Sequence, residues 1–325
     1  MESILADRNL ALEAVRVTES AALEAASFIG AGDERLADHG AVSAAHSALG
    51  ALSVNGTIRV GENKSSSNQK LYVGERIGIA SGPKVDIAIL PLEGKSIVAR
   101  GGPNALSCLA IAEEGGFLNV PDIYMDKLVV GPGVPVDIVD LDAELEDNLN
   151  SLAKWKGVKV TELIVCMLDR PRHNLIVEKL RKLGARIRLI QDGDVSGALL
   201  TSITNHEIDL YMGIGSAPQG VLASAALRCM GGYMQGRLFF KNDEERRYAS
   251  ELGVKELDRK YHTTELASGN VTFAATGVTY GAILQGIRII DKVAVSHSLV
   301  VRSLTGTFRY VEAHHEFAFR KHAQR

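Results

Sequence analysis

From residue 163 to residue 230 the chain alternates short apolar runs with amphipathic ones, and glycine-rich turns separate them. LIVCML (163–168) predicts a buried strand, 173–183 an amphipathic helix closed by Gly184, and 186–190 a second strand. A further strand is predicted over 208–212 and a helix over 218–230. Strand–turn–helix alternation of this kind builds an α/β sheet covered by helices. Ligands of such sheets sit beyond the carboxyl ends of the strands. Three turns lie at such ends: RPRH (170–173), DGD (192–194) and GIGSAPQG (213–220).

The first half has another rhythm. Residues 10–29 are alanine-rich with helical spacing, ended by Gly30 and Gly32, and a second such helix is predicted over 41–52. Asn55-Gly56 is a turn signal and 57–60 reads as a strand. Residues 71–79 alternate and predict a strand, 85–90 a buried strand, and 105–112 the next. Gly131-Pro132-Gly133 and the polar stretch after it place a boundary between domains 1–135 and 136–325.

Apolar residues make up 46% of the chain and charged ones 23%, enough for a substantial core. The net charge of -3 gives no general pull toward nucleic acid or an acidic membrane. No apolar run reaches membrane-spanning length. The N-terminus, MESILADRNL, lacks the blocks of a signal peptide. Cys108, Cys166 and Cys229 form no Cys-x-x-Cys pair and sit in apolar runs, as buried thiols of a reducing compartment do. The expected location is cytoplasmic, or organellar after removal of a targeting segment.

Two segments carry the chemistry. VDIAILPLEGKS (85–96) is a buried strand entering Pro-x-Glu-Gly, a turn that can aim carboxylates at a cation, and GENKSSSNQK (61–70) is a polar loop. Together with VTESAAL (17–23), GAGDERLADHGAV (30–42), NGTIRVGE (55–62), NVPDIYMDKLVVGPG (119–133), GIGSAPQGV (213–221) and FAATGVT (273–279), they run in one order along almost the whole chain. So arranged, the chain resembles the class II fructose-1,6-bisphosphatases, which include the bifunctional fructose/sedoheptulose bisphosphatases. The resemblance implies a layered α/β/α/β/α sugar phosphatase fold. It also implies Mn- or Mg-dependent hydrolysis of the 1-phosphate of a sugar bisphosphate, as in gluconeogenesis and the Calvin cycle.

The family's five metal-ligand positions carry over one by one. Asp38, Glu62 and Glu93 keep carboxylates, while Leu90 stands for an aspartate and Gln219 for a glutamate. The helper positions also differ. The motif threonine is Lys95, and the aspartate implicated in activating water falls on Ser66. Asp33, Asp86 or Gln219 would have to complete a rearranged centre. Glu62 and Glu93 repel each other without a cation, and an ammonium from Lys64 or Lys95 at the old metal position would relieve that repulsion. The alternative is a solvated Ser/Asn/Lys loop with Lys95 pointing outward.

On the substrate side the resemblance assigns Tyr124, Arg170, Arg172, Asp192, Gly193 and Asp194, with Arg170 in place of a lysine and Ser216 in place of a glycine. The expected function is a catalytically impaired bisphosphatase that binds a sugar phosphate or serves as a regulatory or structural subunit. It would form a homo-oligomer, or a hetero-oligomer with an active paralogue. Beside this stand an active phosphatase with a rearranged metal centre and an interaction subunit without ligand. His314, His315 and Glu316 make no metal site, because adjacent histidines on a strand point to opposite faces.

Overall fold

Alanine favours helix because it loses no side-chain entropy there, and its small size lets helices approach closely. A computed structural model, which describes residues 2–62, 69–203 and 208–316, shows two such N-terminal helices, α1 (Glu2–Ala26) and α2 (Glu34–Gly50). The Asp33 carboxylate accepts from the backbone N–H of Arg35 at 2.9 Å and of Leu36 at 3.1 Å. This cap starts α2 well before residue 41 and gives Asp33 the role of a helix cap.

The chain then forms β1 (Asn55–Val60), β2 (Arg76–Ile77), β3 (Lys84–Glu93), α3 (Lys95–Arg100) and β4 (Leu106–Glu113). A second unit follows with β5 (Tyr124–Val130), α4 (Leu145–Lys156), β6 (Ile164–Leu168), α5 (Asn174–Leu183) and β7 (Arg186–Ile190). It continues through α6 (Asp194–Leu199), β8 (Leu210–Ser216), α7 (Ala217–Met230), β9 (Tyr233–Phe239) and α8 (Asp243–Glu251). It ends with β10 (Lys260–His262) and α9 (Thr263–Leu266). The last strands are β11 (Val271–Gly277), β12 (Arg288–Ile290), β13 (Val293–Arg302) and β14 (Thr307–Glu316).

The class is mixed α/β, as expected, but the division differs from a single boundary near residue 135. One unit comprises Met1–Glu114 with Asn270–Arg325, and the other Gly115–Gly269. The cause is strand pairing. β11 runs antiparallel to β4 from Val271↔Ala112 to Gly277↔Leu106, so the C-terminal segment completes the first sheet. The Gly-Pro-Gly at 131–133 lies inside the second unit, directly after β5.

Among the described residues the first sheet has the order β12-β13-β11-β4-β3-β1-β2, with β14 also on β13. α1 and α2 bury Ala14, Val17, Ala21, Ala41 and Val42 against Ile87, Ile89, Leu109 and Ile111. A buried hydroxyl chain ties helix to sheet: Thr18 Oγ1 lies 2.7 Å from Thr276 Oγ1, which lies 2.8 Å from Ser298 Oγ. VTESAAL and FAATGVT, far apart in sequence, meet there. The stretch 71–79 is mostly turn rather than strand. Leu71, Gly74 and Gly78 take positive φ, and only Arg76–Ile77 pairs with β1.

The second sheet has the order β10-β9-β5-β8-β6-β7. β6 runs parallel to β7 and β8. β5 runs antiparallel to both β8 and β9, with Tyr124 opposite Ser216 on one side and Phe239 on the other. The carboxyl ends of β6, β7, β8 and β9 therefore share one edge with the start of β5. One face of this sheet packs Leu128, Val165 and Met167 against Leu149, Leu152, Val177 and Leu180 of α4 and α5.

The three cysteines are free. Burial, with the Glu93 charge nearby, pushes the Cys108 thiol well up, and burial pushes Cys166 up to about 12, so both stay protonated. No described helix is long and apolar enough to cross a membrane.

Candidate functional site

The second sheet gathers its chemistry at the edge where those strand ends meet. Arg170 and Arg172 follow β6, Asp192 and Gly193 follow β7, and Ser216 closes β8 as the residue before α7. Tyr124 opens β5 beside Ser216. Gly193 has φ +95, which a side chain would strain, and the Asp192 carboxylate accepts from its N–H at 3.0 Å. Arg172 donates from Nε and Nη2 to the Ile214 carbonyl at 2.9 and 2.7 Å, and its guanidinium carbon lies 4.9 Å from the Tyr124 ring centroid. Lys241, just past β9, brings its ammonium to 4.1 Å from the same ring.

His173 holds this edge together. Its ring is buried, its Nδ1–H donates to the Leu168 carbonyl at 2.8 Å, and its Nε2 accepts from the Ile214 N–H at 2.9 Å. A carbonyl can only accept and an N–H only donate, so the ring is neutral with the proton on Nδ1. Burial pushes its pKa down and keeps it so. The ring thus joins the end of β6 to β8 and aims the intervening arginines.

Beneath the edge lies an internal ion pair. Lys127 and Asp194 are each only 2% exposed at the side chain. Lys127 Nζ donates to Asp194 Oδ2, and to the Ser216 carbonyl at 2.9 Å; the Tyr211 hydroxyl donates to Asp194 Oδ1. Gly215 is required beside it, because a Cβ there would stand 1.9 Å from Asp194 Oδ2. Both carboxylate oxygens of Asp194, which the resemblance assigns to the substrate, are engaged inside the protein. Sequence reasoning missed His173, Lys127, Tyr211 and Lys241. Their signal was weak, since a lysine within an apolar strand and a histidine in a turn carry meaning only through their partners.

The first unit holds the other predicted positions. Asp38 lies on α2, and the ammonium of Lys95, first residue of α3, stands 3.6 Å from its Oδ2. Lys95 therefore turns toward a predicted ligand position, that of Asp38. Glu62 forms a parallel bridge with Tyr72 and donates its N–H to the Leu71 carbonyl at 2.8 Å. Leu90 faces Cys108 across the β3–β4 pair, and Glu93, 1% exposed, closes β3 after a register shift. Asp86 is buried against Arg59, whose Nε donates to its Oδ1 at 2.9 Å. Gln219 lies on the first turn of α7 in the second unit. Lys64 and Ser66 fall outside the described residues. Among the described residues, no group of three or more His, Cys, Asp or Glu side chains is placed to hold a metal ion. His314 meets Glu312 at 3.2 Å while His315 meets Ser296 at 2.9 Å, so the two rings point apart.

The family model described as bacterial fructose-1,6-bisphosphatase, glpX-encoded, matches residues 8–315. The chain belongs to the class II fructose-1,6-bisphosphatase family. Fructose-1,6-bisphosphatase 1 class 2 of Escherichia coli K12 is 39% identical over 322 residues, covering 95% of each chain. The class 2 fructose-1,6-bisphosphatases of Escherichia coli O6:H1 and of Shigella flexneri show the same identity and coverage. Class II fructose-1,6-bisphosphatases are hydrolases of carbohydrate metabolism and generally use divalent metal ions.

Proposed function

We propose that this class II family member binds a sugar phosphate at the edge of its second sheet and is catalytically impaired, acting as a sensor, regulatory or structural subunit. The observation that carries the reading is the Lys95 ammonium 3.6 Å from Asp38 Oδ2. A cation already faces one expected ligand, and an alkyl group stands at Leu90, where a hard divalent ion needs oxygen. This donor set does not fit the family's metal centre. Even the loss of a hydrogen bond that orients a ligand costs about 10–100-fold in metal affinity or activity. Replacing a ligand outright costs more.

Tyr124, Arg170, Arg172, Asp192, Gly193 and Ser216 would form the phosphate-binding edge. Arginine suits this role because its planar fork matches phosphate oxygens. As a subunit the chain would assemble with further copies or with an intact paralogue.

The test pairs two measurements on the full chain. Phosphate release from fructose 1,6-bisphosphate is followed with Mn²⁺ or Mg²⁺, and thermal stability is followed with the same sugar. The expected result is a thermal shift without turnover. Turnover at ordinary enzyme rates, about 1–1000 per second, would establish an active phosphatase with a rearranged centre instead. Neither shift nor turnover would favour an interaction subunit without ligand. Restoring Leu90→Asp, Gln219→Glu, Lys95→Thr and an acidic 63–67 loop should regain Mn²⁺ binding by titration and then activity.

A further inference from the structure

We propose that Lys241 is an anion-binding side chain of the phosphate edge, working with Arg172 around the Tyr124 ring; this rests on the sugar-phosphate reading above. β9 ends at Phe239, directly opposite Tyr124, and the chain delivers Lys241 two residues later. Its backbone is fixed there. The Lys241 N–H donates to Glu245 Oε2 at 2.8 Å, and Asn242 caps α8 by accepting from the Glu245 N–H at 2.9 Å. The side chain is thus launched from an anchored turn toward the ring.

A lysine resting on an aromatic ring is common, since significant cation–π contacts occur about once per 70–80 residues. Here two cations share one ring, with Arg172 at 4.9 Å and Lys241 at 4.1 Å from its centroid. Among the described residues the Lys241 ammonium makes no hydrogen bond, and Glu245 Oε1 stands off at 3.9 Å. Arg172 gives Nε and Nη2 to the Ile214 carbonyl and keeps Nη1 for another acceptor. Two like charges on one ring, with only the distant Glu245 carboxylate to offset them, are stabilised by an incoming anion. A phosphate monoester, carrying close to two negative charges, is the chemical class that takes both.

Titration calorimetry of the full chain with fructose 1,6-bisphosphate over a range of salt concentrations tests this. Lys241→Met keeps the packing on the ring and removes the charge. It should raise Kd about tenfold, the scale of a hydrogen bond to a charged group, and flatten the salt dependence. Lys241→Arg should bind within about threefold of wild type, since it keeps the cation. Glu245→Gln keeps an acceptor for the Lys241 N–H but removes the competing charge, and should tighten binding about twofold. Lys241 is 54% exposed at the side chain, so the unliganded melting temperature of Lys241→Met should not change. Wild-type affinity in Lys241→Met would overturn the inference and leave the sugar-phosphate reading standing. Absence of binding by the wild-type chain would overturn both.

Discussion

Replacing Lys127 by Met would test how much the buried pair under the phosphate edge contributes. Both partners are 2% exposed at the side chain, and the Asp194 oxygens are held by Lys127 on one side and Tyr211 on the other. Truncating the lysine leaves a buried carboxylate with a single neutral donor. Breaking a buried pair in this way costs about 3–5 kcal/mol. For a unit of this size, each kcal/mol lowers the melting temperature by about 2–4 °C, so the expected fall is about 6–20 °C. Urea unfolding at pH 7, followed by circular dichroism, measures the loss. The double variant Lys127→Met/Asp194→Asn removes the stranded charge while keeping the side-chain volume that Gly215 leaves room for. It should be more stable than Lys127→Met alone. A loss below about 1 kcal/mol in the single variant, the value of an exposed pair, would refute the reasoning. So would a double variant whose loss equals the sum of the two singles.

Three further outcomes follow from the same geometry. Burial depresses the His173 pKa, so an unfolded chain takes up a proton near pH 6.5 while the folded one does not; stability should fall as pH drops below about 6.5. The urea midpoint measured from pH 7.5 to 5.5 should fall less in His173→Gln, and an unchanged slope would reassign the effect. Gly215→Ala should lose about 3 kcal/mol in urea unfolding, because the new methyl meets the pinned Asp194 oxygen. Thr276→Val removes the hydroxyl between Thr18 and Ser298 and should cost about 1–3 kcal/mol by the same assay.

What the sequence made legible is what local periodicity controls. The buried strands at 85–90 and 163–168 and the helix at 173–183 were readable from apolar spacing alone, because burial is reflected residue by residue. The strand expected over 71–79 failed since alternation cannot report the positive φ of Leu71, Gly74 and Gly78, which bend the chain out of the ladder. β5 carries Asp126 and Lys127 in its middle, charges that conceal a central strand. They are tolerated because Lys127 finds Asp194, 67 residues away, a partner no local pattern shows. The resemblance alone assigned Asp194 to the substrate, and no local pattern shows that its carboxylate is engaged by Lys127 and Tyr211. Nor does the sequence show that Asp33 caps α2 or that Asp86 pairs with Arg59.

The pairing of β4 with β11 also sets an order of events during synthesis. Glu113 and Asn270 lie side by side, joined by a 2.7 Å bond from Asn270 Nδ2 to Glu113 Oε1, yet everything from Gly115 to Gly269 is translated between them. On the ribosome, β4 therefore emerges with one edge bare and waits while the whole second unit is made. That unit has both ends close together and every strand of its own sheet in hand, so it can finish folding before the first sheet closes. β11, made only after that unit, then pairs with the waiting edge of β4, and β13 and β14 add beyond it.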